Sequence, residues 1–307
     1  MAILTGLQSK LRGSAGSVTF KRNAGRTVLS EKVTDVKRSC TEPQSRQRTK
    51  LGNVVAMYRG CIPLLRGAFE KKGVGRSDYN AFVSVNMQSQ PVYLTKQQVN
   101  AGACVAAPYT ISQGTLPAIV ITGEGRNAAT NIFIADLTLG ASTTVAEFSK
   151  AVLTNNRADF NSGDQISYFI IKQKVNEATG IPYCQFNAYS VILDATDDTK
   201  LWEVVPKNGF SSTDGCLAHS GNDGDCCFAW VHSRKSADGK IRVSSQTLID
   251  ANSKLSNYVG EMAYNLASSS YGAVSDVFLA PNGNDNGNVN GNAGGSGGGS
   301  QGGGDSL

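Results

Sequence analysis

The sequence is poor in the groups that do chemistry. Only two histidines, His219 and His232, occur in 307 residues, and neither is accompanied by a Gly-x-Ser-x-Gly elbow. A Ser-His-Asp relay therefore has no foothold. No Cys-x-x-Cys pair is present, so the strongest signature of a zinc site is missing. The run Gly123-Glu-Gly125-Arg126 lacks both the third glycine of a dinucleotide loop and the lysine of a phosphate loop, and it sits between strand patterns rather than before a helix. Nothing approaches the ~18 apolar residues of a membrane span, and the opening MAILTGLQSKLRG has no apolar core for a signal peptide. These absences lead us to expect a non-enzymatic protein, synthesised in the cytoplasm, with no membrane partner and no cofactor.

Seven cysteines, an odd number, are scattered rather than framed: Cys40, Cys61, Cys104, Cys184, Cys216, Cys226 and Cys227. Reduced thiols are the expectation. Cys226 and Cys227 point to opposite faces if they lie in a strand. Cys216, His219, Cys226, Cys227 and His232 could be drawn together around a metal, but the spacing Cys216-x-x-His219 has no second half. We read them as buried thiols with two structural histidines, and expect no metal. Asp194, Asp197, Asp198, Asp214, Asp223 and Asp225 lack the order of a calcium loop and are read as loop acids.

What is present is charge, distributed unevenly. Charged residues are only 17% of the chain, yet residues 1–76 hold 16 of the 29 Lys and Arg against 4 of the 24 Asp and Glu, a net +12. Residues 77–307 hold 13 against 20, a net −7. Such a split seeks phosphate or an acidic protein surface.

Along the chain, Gly16 to Arg22 alternates, turns at Asn23-Ala24-Gly25 and resumes over Arg26 to Lys32, which predicts a hairpin with an apolar face and a basic rim. Gln44 to Gly60 shows Leu51, Val54, Val55 and Tyr58 at helical spacing. Beyond Pro63, Leu64, Leu65, Ala68 and Phe69 continue an apolar stripe to Lys71-Lys72-Gly73, as a second or kinked helix. Extended patterns follow at 82–86, 91–94, 108–114, 118–122, 131–137, 165–172, 184–193, 201–205, 226–234 and 241–247. Helices are expected at Thr144–Thr154 and Asn252–Ala267, the latter on a stripe of Leu255, Val259, Met262 and Leu266. The final 27 residues contain eleven Gly and no cation, the composition of a disordered tail.

The sum is a mainly β protein. It comprises a basic N-terminal hairpin plus helix (1–76), a β-sandwich-like body (77–280) of about seven to nine strands and a disordered Gly/Asn/Ser tail (281–307). Docking or nucleic-acid contact falls to Arg12, Lys21, Arg22, Arg26, Arg46, Arg48 and Lys50, with Phe20 available for stacking. Trp202, Trp230 and Tyr189 are aromatic platforms or, more commonly, core. The preferred function is structural or assembly, with self-association or particle neighbours as partners. The alternative is nucleic-acid binding by the basic arm, tuned by the acidic Gly-rich tail.

Residues in a fixed order also carry a family resemblance. Gly6, Lys10, Gly13 and Gly16-Ser-Val18 precede a strand pair with Gly25-Arg26, then Thr41-x-x-Gln44-x-x-Gln47-Arg48-x-Lys50 opens a helix. Further on stand Pro91-Val-Tyr-Leu-Thr-Lys96, Ser112-x-Gly114-x-Leu116-Pro117 and the strand, turn and return strand from Ala229 to Gln246. This resembles a family of unknown function common in Bacteroidota and in their phages and prophages, over most of residues 1–250. The resemblance implies β-rich domains, no established enzymatic activity and a place among phage or mobile-element structural proteins, which are virion or particle components. It transfers no catalytic residue.

Overall fold

The computed structural model describes residues 2–4, 12–23, 26–33, 41–63, 65–70, 72, 76–205, 210–221 and 223–272. The tail expected at 281–307 lies outside the described residues. The chain opens with strands β1 (Ala2–Leu4), β2 (Gly13–Ala15), β3 (Val18–Asn23) and β4 (Arg26–Glu31), followed by helices α1 (Glu42–Cys61), α2 (Asp78–Asn86) and α3 (Lys96–Asn100). Strands β5 (Thr110–Ser112), β6 (Ile121–Thr122) and β7 (Ala129–Phe133) lead to α4 (Val145–Asn155), then to the long strands β8 (Gln165–Val175) and β9 (Pro182–Ile192) and to α5 (Leu201–Val204). Strands β10 (Ser211–Thr213), β11 (Cys216–Ala218), β12 (Cys226–Lys235), β13 (Ile241–Val243), β14 (Gln246–Thr247) and β15 (Ile249–Ala251) precede α6 (Gly260–Ser270).

Helix and strand are nearly balanced, at 29% and 31%, so the fold is mixed α/β and the expected mainly β, sandwich-like body is corrected. The central sheet runs β13-β12-β8-β9, with β15 also on β12. Strand β12 is buried on both faces from Cys226 to His232, which a two-sheet sandwich does not require of its strands. On one face Ile171, Cys227, Ala229 and Val231 share a core with Val54 and Met57 of α1, Phe82 of α2 and the segment 103–111. On the other, Ile166, Tyr168, Ile170, Phe228 and Trp230 pack against Ile132 of β7, Phe148 of α4 and Leu217 of β11. A small sheet, β10-β11-β7-β6, covers that second face together with α4 and α5. The order is helices, sheet, then sheet and helix.

The N-terminal strand pair forms as expected, with β3 and β4 in register from Val18↔Glu31 to Asn23↔Arg26; Ala24 and Gly25 of the expected turn lie outside the described residues. Strands β1 and β2 flank it to give the order β1-β4-β3-β2. Helix α1 also forms, but its buried face is Ser45, Thr49, Asn53, Met57 and Cys61 at every fourth position, with Val54 beside them. Leu51, expected on the stripe, is exposed. Through this face α1 shares its core with elements that follow residue 77.

Four local expectations are corrected. Residues 82–86 are helical, because Ser77 caps α2 by accepting a hydrogen bond from Asn80 N at 3.3 Å. Residues 201–204 are a short helix rather than a strand. No helix follows Pro63 among the described residues; the chain turns at 66–67, and Phe69 bridges Gln113 in parallel instead. The helix expected from 252 breaks at Gly260 (φ 82°), so Ser253–Tyr258 is a 3-10 turn and α6 starts afresh, leaving Met262 and Leu266 exposed.

One buried segment touches a strand only at its start, where Cys104 N bonds Pro182 O of β9 at 2.9 Å. Residues 103–107 run through the first core, and side-chain amides satisfy much of their backbone: Asn53 donates to Val105 O (2.9 Å) and accepts from Val105 N (2.8 Å), Gln173 accepts from Ala106 N (2.8 Å), and Asn252 donates to Ala106 O (3.0 Å). Three buried amides stand where a sheet would otherwise pair the strap.

Candidate functional site

The basic residues divide between two supports. Lys21 on β3 and Arg26 on β4 are exposed, as is Arg12 just before β2. Of Arg22 only the backbone is described, opposite Thr27. On α1, Arg46 and Arg48 are exposed and Lys50 is half-buried. A helix turns ~100° per residue, which places Arg46 and Lys50 on one flank and Arg48 on the opposite one. Arg46 is held in place: its guanidinium lies 5.0 Å from the centre of the Tyr264 ring and 3.8 Å from Glu42. Its hydrogen bond to Tyr264 leads the effects that hold its proton more firmly than usual. The α1 cations thus stand on a helix whose opposite face is fixed in the core.

The histidine and cysteine residues do not converge. Among the described residues no group of three or more His, Cys, Asp or Glu is placed to hold a metal ion. His219 is buried, stacks on Phe228 at 3.9 Å between ring centres and shares a 2.8 Å hydrogen bond between Nδ1 and the Tyr168 hydroxyl. Burial pushes its pKa down to about 4, so it is neutral. Its Nε2 has no partner among the described residues, nor does Trp230 Nε1. Burial raises the thiols of Cys61 and Cys226 to about 12 and that of Cys227 well above its ordinary value, which removes them as nucleophiles.

His232 belongs to a different network, one the sequence did not reveal. Its Nε2 lies 2.8 Å from Asp164 Oδ2, and Arg234 embraces the same carboxylate through Nε (2.7 Å) and a terminal nitrogen (2.6 Å). Burial works against the Asp164 charge, but Arg234, the Asn161 amide and His232 outweigh it and hold the carboxyl below its ordinary range. Burial also keeps His232 neutral, so it donates a hydrogen bond rather than a second charge. The network closes the loop before β8 onto β12, and the ring of Phe160 covers His232 at 4.4 Å.

The acidic loops are occupied as well. Asp223 pairs with Lys172 at 2.6 Å, and Asp225 accepts from the Ser253 hydroxyl at 2.7 Å. Asp194 and Asp197 accept from the amides of Thr196 and Thr199, and Asp214 (φ 51°) forms the two-residue turn between β10 and β11 with Gly215. Of the aromatic platforms, Trp230 is fully buried, and Trp202 and Tyr189 pack against the second core.

Besides a small cleft of about 150 Å³ beside Arg66, Ser167, Phe169 and Val231, the described residues leave a cleft of about 610 Å³ between the 67–72 segment and the β12–β13 turn, lined by Lys72, Lys240 and Arg242 with Glu70 and Asp238. Glu70 is spent on the fold: it accepts from Val243 N and Thr115 Oγ1 (2.8 Å). Asp238 pairs with Lys240 at 2.9 Å and Lys72 pairs with Asp78. The cleft therefore has a mild positive bias and no constellation for bond making. Sequence reading missed it because its walls lie some 170 residues apart.

Compared with known proteins, the chain matches no family model, no curated protein and no solved structure. Among the described residues no helix is long and apolar enough to cross a membrane.

Proposed function

We propose that the chain is a non-enzymatic structural or assembly protein, of the phage or prophage kind that the family resemblance implies, which docks on an acidic protein surface through its basic N-terminal quarter. The separation of charge carries this reading: +12 over residues 1–76 against −7 beyond. A positive arm on one copy and a negative body on the next suit head-to-tail packing. The interior supports it too, because every buried histidine, thiol and carboxylate described above is committed to packing or to a structural hydrogen bond.

Nucleic-acid binding is the second reading, since the same cations would track phosphates. It needs open rings beside the cations, and most are taken: Tyr58 lies against Tyr79 and Phe82, Phe69 is buried, and Tyr264 is covered by Arg46. The half-buried Phe20 next to Lys21 is the ring that remains beside the hairpin cations.

Sedimentation velocity of the full chain at about 0.05 and 0.5 M salt, together with anisotropy of labelled DNA, separates the two. Association that weakens with salt, is lost in Lys21→Glu/Arg26→Glu/Arg46→Glu and has no counterpart on DNA is the expected result. DNA binding that falls steeply with salt and disappears in the same variant would transfer the function to nucleic acid.

A further inference from the structure

Strand β9 ends the central sheet on one side, and beyond Pro182 no described strand pairs with its outer edge. The Asn176 N to Ile181 O hydrogen bond (3.0 Å) closes the β8–β9 hairpin and sets the parity of the ladder. Odd-numbered β9 residues turn their N–H and C=O towards β8, and even-numbered ones turn outward. The Pro182 carbonyl obeys this rule by accepting from Cys104 N at 2.9 Å on the outer side. Beyond it, no described residue bonds the outward N–H or C=O of Cys184, Phe186, Ala188, Ser190 or Ile192.

Proteins blunt such edges by shortness, a bulge, a mid-strand proline or an inward charge. The other outer strands among the described residues use shortness: β1, β2, β5, β6, β10, β13, β14 and β15 have two or three residues each. Strand β9 has eleven residues, an unbroken register from Pro182 to Ile192, proline only at its first position and no charged side chain. Among the described residues none of these four devices is present on β9, and only its Pro182 end is covered, by Cys104.

We propose that this edge pairs with the β9 edge of a second copy, antiparallel about a two-fold axis, to join two central sheets into one. The strand suits itself as a partner. With no charge along it, two copies align without repulsion, and an axis at Ala188 lets every one of the five outward amides meet a carbonyl of the other copy. That alignment sets Phe186 opposite the second copy's Ser190, and brings Ile192, 57% exposed, against the second copy's Cys184. The contact uses none of the cations of the basic arm, so it is insensitive to salt and stands independently of charge-driven docking.

Amide hydrogen exchange of the full-length protein, measured by NMR across a concentration series at high salt, tests the pairing residue by residue. As the mass in solution rises from 32.3 kDa towards twice that value, the amides of 184, 186, 188, 190 and 192 should slow at least tenfold, while the odd-numbered amides, already paired with β8, stay unchanged. Ala188→Pro removes an outward N–H that the single copy does not use, and Ile192→Lys adds a charge at an exposed end; each should return the mass to 32.3 kDa with the circular dichroism retained. A wild-type protein that stays monomeric at every concentration overturns the proposal. So does a dimer whose protected amides lie in residues 12–31, or one whose mass survives whichever of the two substitutions leaves the fold intact.

Discussion

At the scale of single residues, the most informative contact is Tyr168 to His219, because it is buried, isolated and imperfect. Tyr168 is neutral throughout, its pKa raised by burial, and either histidine tautomer leaves Nε2 unpaired. Removing one partner strands the other, so His219→Phe and Tyr168→Phe should each cost about 1–3 kcal/mol, whereas the double substitution should cost less than their sum. Urea unfolding of the four proteins measures this coupling. The same histidine sets a pH dependence. Its folded value of about 4 lies below the ordinary 6.5, so the unfolded chain binds the extra proton between those limits and stability falls as pH drops through that window. The slope should approach about 1.4 kcal/mol per pH unit. His232 acts in the same direction, and the stability Asp164 contributes is lost lower, as pH falls from the ordinary carboxylate value through its depressed one. His219→Phe should flatten the upper window and leave a smaller drop; an unchanged slope would place the proton elsewhere.

At the scale of elements, helix α1 shows both what the chain displays openly and what it hides. Its start is legible in Thr41-Glu-Pro43, since proline suits the first turn and an acid suits the helix N-terminus. Its buried face is not, because Ser45, Thr49 and Asn53 are polar: Asn53 gains its place through tertiary hydrogen bonds to the 103–107 strap, the Thr49 hydroxyl bonds back to Arg46 O at 2.9 Å, and the Ser45 hydroxyl has no partner among the described residues. A pattern of apolar residues cannot register a core face built from amides and hydroxyls. The same blindness made 82–86 look extended: Phe82, Val83 and Val85 are good strand residues, and the Ser77 cap decided otherwise. The basic residues and their division between hairpin and helix were legible, but the brace of Arg46 on Tyr264 depends on α6, more than two hundred residues away. At Gly60 helix α1 lies close against the sheet. A methyl group there would overlap the ring of Phe186 on β9. Gly60→Ala should therefore lower stability by about 1–3 kcal/mol despite alanine's better helix propensity, and Phe186→Leu in the same chain should recover part of the loss. Thermal melts of both variants check the pair; a Gly60→Ala protein as stable as wild type would mean that α1 does not rest on β9.

At the scale of the whole molecule, the two cores are not two domains. Strands β8 and β12 carry the side chains of both, Ile171 and Cys227 to the helical side, Ile170 and Phe228 to the other. Adjacent residues of one strand belong to opposite cores, so neither face can lose its packing while the shared strands keep theirs. Both tryptophans report on the second core, Trp230 from within and Trp202 from its margin, while most of the helix sits on the first side with α1, α2 and α6. Tryptophan fluorescence and far-ultraviolet circular dichroism therefore sample opposite faces. Their urea transitions should coincide at one midpoint with one slope, the mark of a single cooperative unit. A fluorescence change that precedes the loss of helix would show instead that the small sheet and α4 detach first, and that the central sheet is held mainly from its helical side.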